Sequence, residues 1–187
     1  MEWTEIDESQ LAVQAISDPE AFAALYHRYF ERIYNYIRCR VQNPDIADEL
    51  TSQVFERIMH KLPTFRPQVG LFAAWLWTIV RNVVNDFFRQ QKRAIFVNLD
   101  TVREIGAASP DLTDTIIEQE TRAELLTALK SLSEREQDLL GLKYWADLSN
   151  KEIAIMMGLS EANVAIIAYR ATRRLAEQMA AGRKNYG

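Results

Sequence analysis

The 187-residue chain has one cysteine, Cys39, two histidines, six glycines and five prolines. A single thiol excludes an internal disulfide, and with only two histidines the ligands of a metal site are scarce. No cofactor is expected. So few glycines and prolines argue against a strand-and-turn architecture and favour long helices. No apolar run, "IAIMMGL" included, approaches the ~20 residues that span a bilayer, so no membrane insertion is expected. The opening "MEWTEIDESQ" lacks the charged-then-apolar pattern of a signal peptide, which gives a cytoplasmic expectation. A catalytic constellation is also missing. His27 and His60 lie on separate helices without a motif-spaced partner, so neither an enzyme nor a small-molecule substrate is expected.

A hydrophobic share of 48% and an aromatic share of 10% place the chain among folded proteins rather than disordered ones. The net charge of −4 conceals an uneven distribution. Residues 1–16 carry four acids and no base, and residues 17–93 carry eleven Lys and Arg against eight acids. Residues 94–122 hold two bases against six acids, and residues 123–187 hold nine against eight. Two segments with local basic faces are thus joined by an acidic stretch that nucleic acid repels.

Periodicity makes both segments helical. "SDPEAFAALYHRYFERIYNYIRCRV" opens with Ser17 and Glu20 at capping-box spacing and Pro19 in the first turn, and carries Phe22, Leu25, Tyr29, Ile33, Tyr36 and Ile37 on one face. "NPD" at 43–45 breaks it. A second helix turns Ile46, Leu50, Phe55, Ile58 and Leu62 inward and stops before Pro63. After the loop "PTFRPQVG", a third helix runs from about Leu71 to Arg93 with Phe72, Trp75, Leu76, Ile79, Val83 and Phe87 inward. From Ala94 the pattern fades into a linker, then resumes at Ile116 and Ile117. Ser133–Glu136 and Ser149–Glu152 are two further capping boxes, and Ser160 caps a last helix reaching about Ala180. The expected architecture is all-α: residues 1–93 form one domain, 94–115 an acidic linker and 116–187 a second domain.

The second domain ends in a helix–turn–helix pattern. Ile153, Ala154, Met157, Leu159 and Val164 occupy its packing positions, and Gly158 sits at the turn, where a positive φ is cheap only for glycine. On the last helix Val164, Ala168, Ala171 and Leu175 form the inward stripe. Asn163, Ile166, Tyr169 and Arg170 project elsewhere, with Arg173 and Arg174 one turn on. Asparagine pairs with adenine, and Ile166 can meet a thymine methyl. Arg170, Arg173, Arg174 and the backbone amides after Ser160 can hold phosphates. Ile166 and Ile167 are equally consistent with a partner-binding patch or extra core.

The third helix and its preceding loop interleave aromatic residues with Arg66, Arg81, Arg89, Lys92 and Arg93. Single-stranded nucleic acid needs that mixture, because bases stack while cations track the backbone. Phe72, Trp75, Ile79 and Phe87 lie at core spacing, whereas Trp77 and Phe88 lie off the stripe and are the surface candidates. Asp45, Asp48 and Glu49 gather at a helix start, where acids suit the helix dipole; they also offer a docking surface to a basic partner.

Taken together, "AFAALYHRYFERIYNYI", "DIADELTSQVFERI", "FAAWLWTIVRNVVNDFFR" and the stretch from "LLTALKSLSEREQDLL" to "RATRRL" resemble an extracytoplasmic-function sigma factor. This is the smallest type in the sigma-70 superfamily of bacterial RNA polymerase initiation subunits. The resemblance covers about residues 15–180. It implies sigma domain two, a linker and sigma domain four, with core RNA polymerase and promoter DNA as partners and an anti-sigma factor as regulator. It places polymerase docking on Asp48, Glu49, Ser52, Gln53 and Phe55. It places capture and melting of the minus-ten element on the Phe65–Leu71 loop and the helix beyond, with Phe65, Arg66, Trp75, Trp77, Arg81, Asn82, Asp86 and Arg89 as contacts. Minus-thirty-five recognition falls to Ser160, Asn163, Ile166, Tyr169, Arg170, Arg173 and Arg174.

Two positions depart from the family pattern. Ser52 and Gln53 stand where the docking block often has Gln followed by an acid, and the reading helix lacks the usual Lys and Arg near Ala165 and Ile167. Two other readings of the residues stay open: a helix–turn–helix regulator that never joins polymerase, and a partner-binding protein that has lost DNA readout. The acidic linker, with Asp111, Asp114, Glu118 and Glu120, is expected to repel DNA from the free protein.

Overall fold

The computed structural model describes residues 6–97 and 124–184, and every regular element among them is a helix. They divide into two compact units, one of residues up to 37 and 45–97, the other of residues 38–44 and 124–184. The all-α expectation holds. Residues 94–97 of the expected linker continue α4; the rest of it, its acidic residues, and Ile116 and Ile117 lie outside the described residues.

The first unit contains α1 (Glu8–Gln14), α2 (Pro19–Val41) up to Ile37, α3 (Pro44–Lys61) from Asp45, a 3-10 turn (Leu62–Thr64) and α4 (Phe72–Val97). Its core joins Leu25, Tyr29 and Ile33 of α2, Leu50, Val54 and Ile58 of α3, and Leu76, Val80 and Val84 of α4, all buried. The cap of α2 differs from expectation. Asp18, not Ser17, closes it, its carboxylate accepting from the Glu20 amide at 2.8 Å. Asp18 directly precedes Pro19, so it occupies the position from which a side chain reaches the first free amides. The short α1 had no counterpart in the sequence reading. Asp7 caps it, and it buries Leu11 and Ala12 against α4 and the 3-10 turn. Seven residues give too brief a run for periodicity to register.

In α4 the buried arc is wider than a single stripe. Each residue advances about 100° around a helix, so Trp77 lies about 200° from Trp75. Ile79, Val83, Leu76, Val80, Val84 and Trp77 fill one continuous buried arc, with Trp75 at its edge, half-buried. Trp77 is fully enclosed, its ring edge-on to Tyr36 at 5.5 Å. The surface assignment of Trp77 is therefore corrected: a helix with neighbours on several sides buries more than one stripe.

The second unit contains α5 (residues 124–129), α6 (Glu134–Tyr144), α7 (Asn150–Met157) and α8 (Glu161–Lys184). Both expected capping boxes are present. The Ser133 and Ser149 amides donate to Glu136 and Glu152, each at 2.8 Å, while their hydroxyls accept from the Glu136 and Glu152 amides. Gly158 adopts φ +64° and ends α7, and α7 meets the following helix at 101°. That angle falls within the range of helix–turn–helix motifs. Ile153, Val164, Ala168 and Ala171 are buried where the two helices cross. Among the described residues no single helix is long and apolar enough to cross a membrane.

Candidate nucleic-acid interface

In the first unit, a loop with one proline and one glycine, Pro67 and Gly70, leads from the 3-10 turn into α4. Leu71, Ala74, Trp75 and Thr78 share one helix face, at i, i+3, i+4 and i+7. With Thr64, Phe65, Arg66, Val69 and Gly70 they line an open pocket of about 340 Å³. Its aromatic wall is built in layers. Phe65 packs edge-on to Phe72 at 5.2 Å and tilts against Trp75 at 5.6 Å, while Phe72 stacks on Trp75 at 5.6 Å. Phe65 is only 3% exposed, so it props the wall from behind and Trp75 offers the more accessible ring. Arg66 donates from one guanidinium nitrogen to the Pro63 and Phe65 carbonyls at 2.7 and 2.9 Å, which stiffens the loop.

The sequence places this site on the Phe65–Leu71 loop and names Phe65, Arg66 and Trp75 individually, but passes over Thr64, Ala74 and Thr78. The helical spacing from Trp75 was the available signal. Val69 and Leu71 are 86% and 64% exposed, so the rim is apolar and accessible. Arg81, Asn82, Asp86 and Arg89 follow Thr78 along the same side of α4, with Arg81 half-buried and Asn82 and Arg89 exposed. Asp86 takes Arg89 at 3.3 Å and Arg57 of α3 at 3.4 Å, so part of the cationic charge here is already matched.

On α3, Asp48, Glu49 and Ser52 are exposed and Gln53 is half-buried. Gln53 donates to the Glu49 carboxylate at 3.1 Å, and the Ser52 hydroxyl donates to the Asp48 carbonyl at 3.0 Å. Phe55 is not part of this surface. It is buried, with ring centroids 4.4 Å from Tyr26 and 6.3 Å from Phe30. The expectation that Phe55 touches a partner is corrected: its place in the inward stripe of α3 makes it the anchor of the exposed face.

In the second unit, Ser160 accepts from the Asn163 amide at 3.2 Å and fixes the first turn of α8. Asn163, Ile166, Tyr169 and Arg170 are exposed, and Ile167 is half-buried. The three arginines behave differently. Arg173 pairs with Glu177 at 2.8 Å on its own helix, an exposed contact that a phosphate can displace. Arg174 reaches across to Glu136 of α6 at 3.1 Å. Arg170 makes no ion pair or hydrogen bond among the described residues. Arg174 thus braces α8 against α6 through a pair whose arginine side chain remains 48% exposed. Partial burial opposes the Glu136 charge, but the Ser133 amide and hydroxyl and the Arg174 guanidinium outweigh it and hold the carboxyl below its ordinary value.

Comparison with known proteins agrees in both halves. Residues 25–94 match the family described as Sigma-70 region 2, and residues 122–175 match Sigma-70, region 4. The ECF RNA polymerase sigma factor BldN of Streptomyces coelicolor is 33% identical over 159 residues, covering 85% of this chain and 60% of that protein. The chain thus spans less than two thirds of that relative's length. The RNA polymerase sigma factor YlaC of Bacillus subtilis is 25% identical over 161 residues, 86% of this chain and 92% of that one. Among solved structures, the sigma factor RpoE in complex with the anti-sigma factor NepR, from Bartonella quintana, has the same fold. Its TM-score is 0.70 at 20% identity, over 84% of this chain and 96% of that one.

Proposed function

Because the chain belongs to the sigma-70 family of RNA polymerase sigma factors, in its extracytoplasmic-function branch, we propose that it joins core RNA polymerase and directs it to promoters, where it melts the DNA. One observation carries this reading. A concave aromatic pocket and a convex helix–turn–helix face occur in one chain, in separate units. The pocket suits an unstacked base of an opened minus-ten element, with Trp75 as platform and Asn82 and Arg89 along the strand. The α8 face suits the major groove of a duplex minus-thirty-five element.

The domain assignment follows: residues 1–93 dock and melt, 94–115 link, and 116–187 read the duplex. Asp48, Glu49, Ser52 and Gln53 form the docking face toward core polymerase. The α8 face needs little affinity of its own, since tethering to polymerase raises its effective concentration at the DNA. An anti-sigma factor is the regulatory partner, as the RpoE–NepR complex exemplifies for that protein. Sigma factors guide a polymerase and carry no catalytic centre of their own.

Run-off transcription with purified core polymerase on a promoter library tests the proposal. The chain is expected to co-migrate with core enzyme in gel filtration and to yield transcripts that core alone does not. Absence of both leaves the helix–turn–helix regulator as the better reading.

A further inference from the structure

The exposed face of α8 has an unusual centre. Counting about 100° per residue from the buried stripe of Val164, Ala168 and Ala171, the point opposite is Ile166. Ile166 is 46% exposed. Its neighbours one turn back and one residue back, Ala162 and Ala165, carry only a methyl each, while Tyr169, 68% exposed, and Arg170 follow one turn on. Asn163 and Arg170 flank it along the axis, and neither side chain has an intramolecular hydrogen bond or ion pair among the described residues. Asn163 and Arg170 are separated by seven residues, about 10 Å along the helix. That length matches roughly three base steps of 3.4 Å.

We infer that Ile166 determines promoter choice by covering the 5-methyl group of a thymine in the upstream duplex element, with Asn163 and Arg170 fixing the register on either side. The inference rests on the proposed function and adds what the duplex must contain. In the major groove, the thymine methyl is the one apolar group among the donors and acceptors of the base edges. An aliphatic side chain gains only by covering that methyl. Placed against the polar edge of a G·C pair, it leaves a base group stripped of water and unbonded. A face whose centre is aliphatic therefore discriminates by methyl contact, and its polar members set position.

Deoxyuridine differs from thymidine by this methyl alone, so the test needs no disruptive protein variant. Holoenzyme reconstituted from core polymerase and the full chain selects upstream elements from a library randomised there. Each thymine of the enriched element is then replaced singly by deoxyuridine. The expected result is one position where uracil weakens holoenzyme binding about fourfold, the effect of one methyl group returned to water. Holoenzyme carrying Ile166→Ala should bind the thymine and uracil templates equally at that position. An enriched element without a methyl-dependent thymine overturns the inference, as does a methyl effect that survives in Ile166→Ala. Either outcome leaves the proposed function standing, because the holoenzyme has then formed and selected DNA. A chain that never joins core polymerase removes both.

Discussion

The two units present opposite kinds of surface built from the same kind of element. In the first, α4 and the loop before it make a hollow whose wall is a stack of Phe65, Phe72 and Trp75. In the second, α8 makes a ridge with Ile166 at its crest and Asn163 and Arg170 beside it. A base leaving a duplex brings two π faces and needs something to stack on. A base pair inside the duplex shows only its edge, which a rigid protruding helix can reach. The difference also sets where the aromatic residues go. They concentrate around the pocket and core of the first unit, while α8 carries one, Tyr169.

The sharpest way to break this comparison is Trp77→Ala. The ring is fully enclosed, so its loss is expected to cost about 3–5 kcal/mol, enough to unfold the first unit. Calorimetry should show the first unit's transition lost and that of the second retained; an unchanged thermogram would place Trp77 at the surface after all. Trp75→Ala separates wall from core. It should remove about 2 kcal/mol of base stacking and lower open-complex formation on the order of 30-fold, with much less effect on folding. Permanganate footprinting of the melted strand reads this directly, while co-migration with core enzyme stays intact.

Gly158→Ala probes the second unit. A Cβ there meets no atom within 4 Å, so only the φ of +64° resists substitution, at about 1–2 kcal/mol. A melting-temperature change of the second unit well outside that range would mean that contacts, not backbone conformation, define the turn. The smallest expected effect concerns Glu136. Its folded-state carboxyl titrates below its unfolded value, so its stabilising contribution is present above the ordinary carboxylate range and is lost as pH falls through the folded value. Glu136→Gln should flatten the acid side of the stability profile, and Arg174→Met should do so partially. An unaltered profile in both would show that the α6–α8 brace contributes nothing measurable.

Much of this was legible in the chain itself. The capping boxes at Ser133 and Ser149, the turn at Gly158 and the inward stripe of α8 are local features, each decided within a turn or two of helix. The errors share another origin. The resemblance puts Phe55 on the docking face although its helical period turns it inward, and Trp77 lies off the expected stripe of α4; both are buried. Arg174 has Glu177 three residues on in its own helix, yet its partner is Glu136, which meets it from another helix. Ser17 displaced Asp18 because the capping-box spacing was weighed above adjacency to Pro19.

The sequence alone determined an all-helical chain, its helix ends in the second unit, and the kind of chemistry each half can perform. Caps, periods and turns follow from hydrogen bonds and φ preferences spanning only a few residues. Tertiary structure alone decided which tryptophan of α4 faces outward, that Arg174 has a partner while Arg170 has none among the described residues, and that Phe65 props a pocket instead of occupying its mouth. Burial and ion pairing depend on what packs alongside a helix, and those neighbours come from distant parts of the chain.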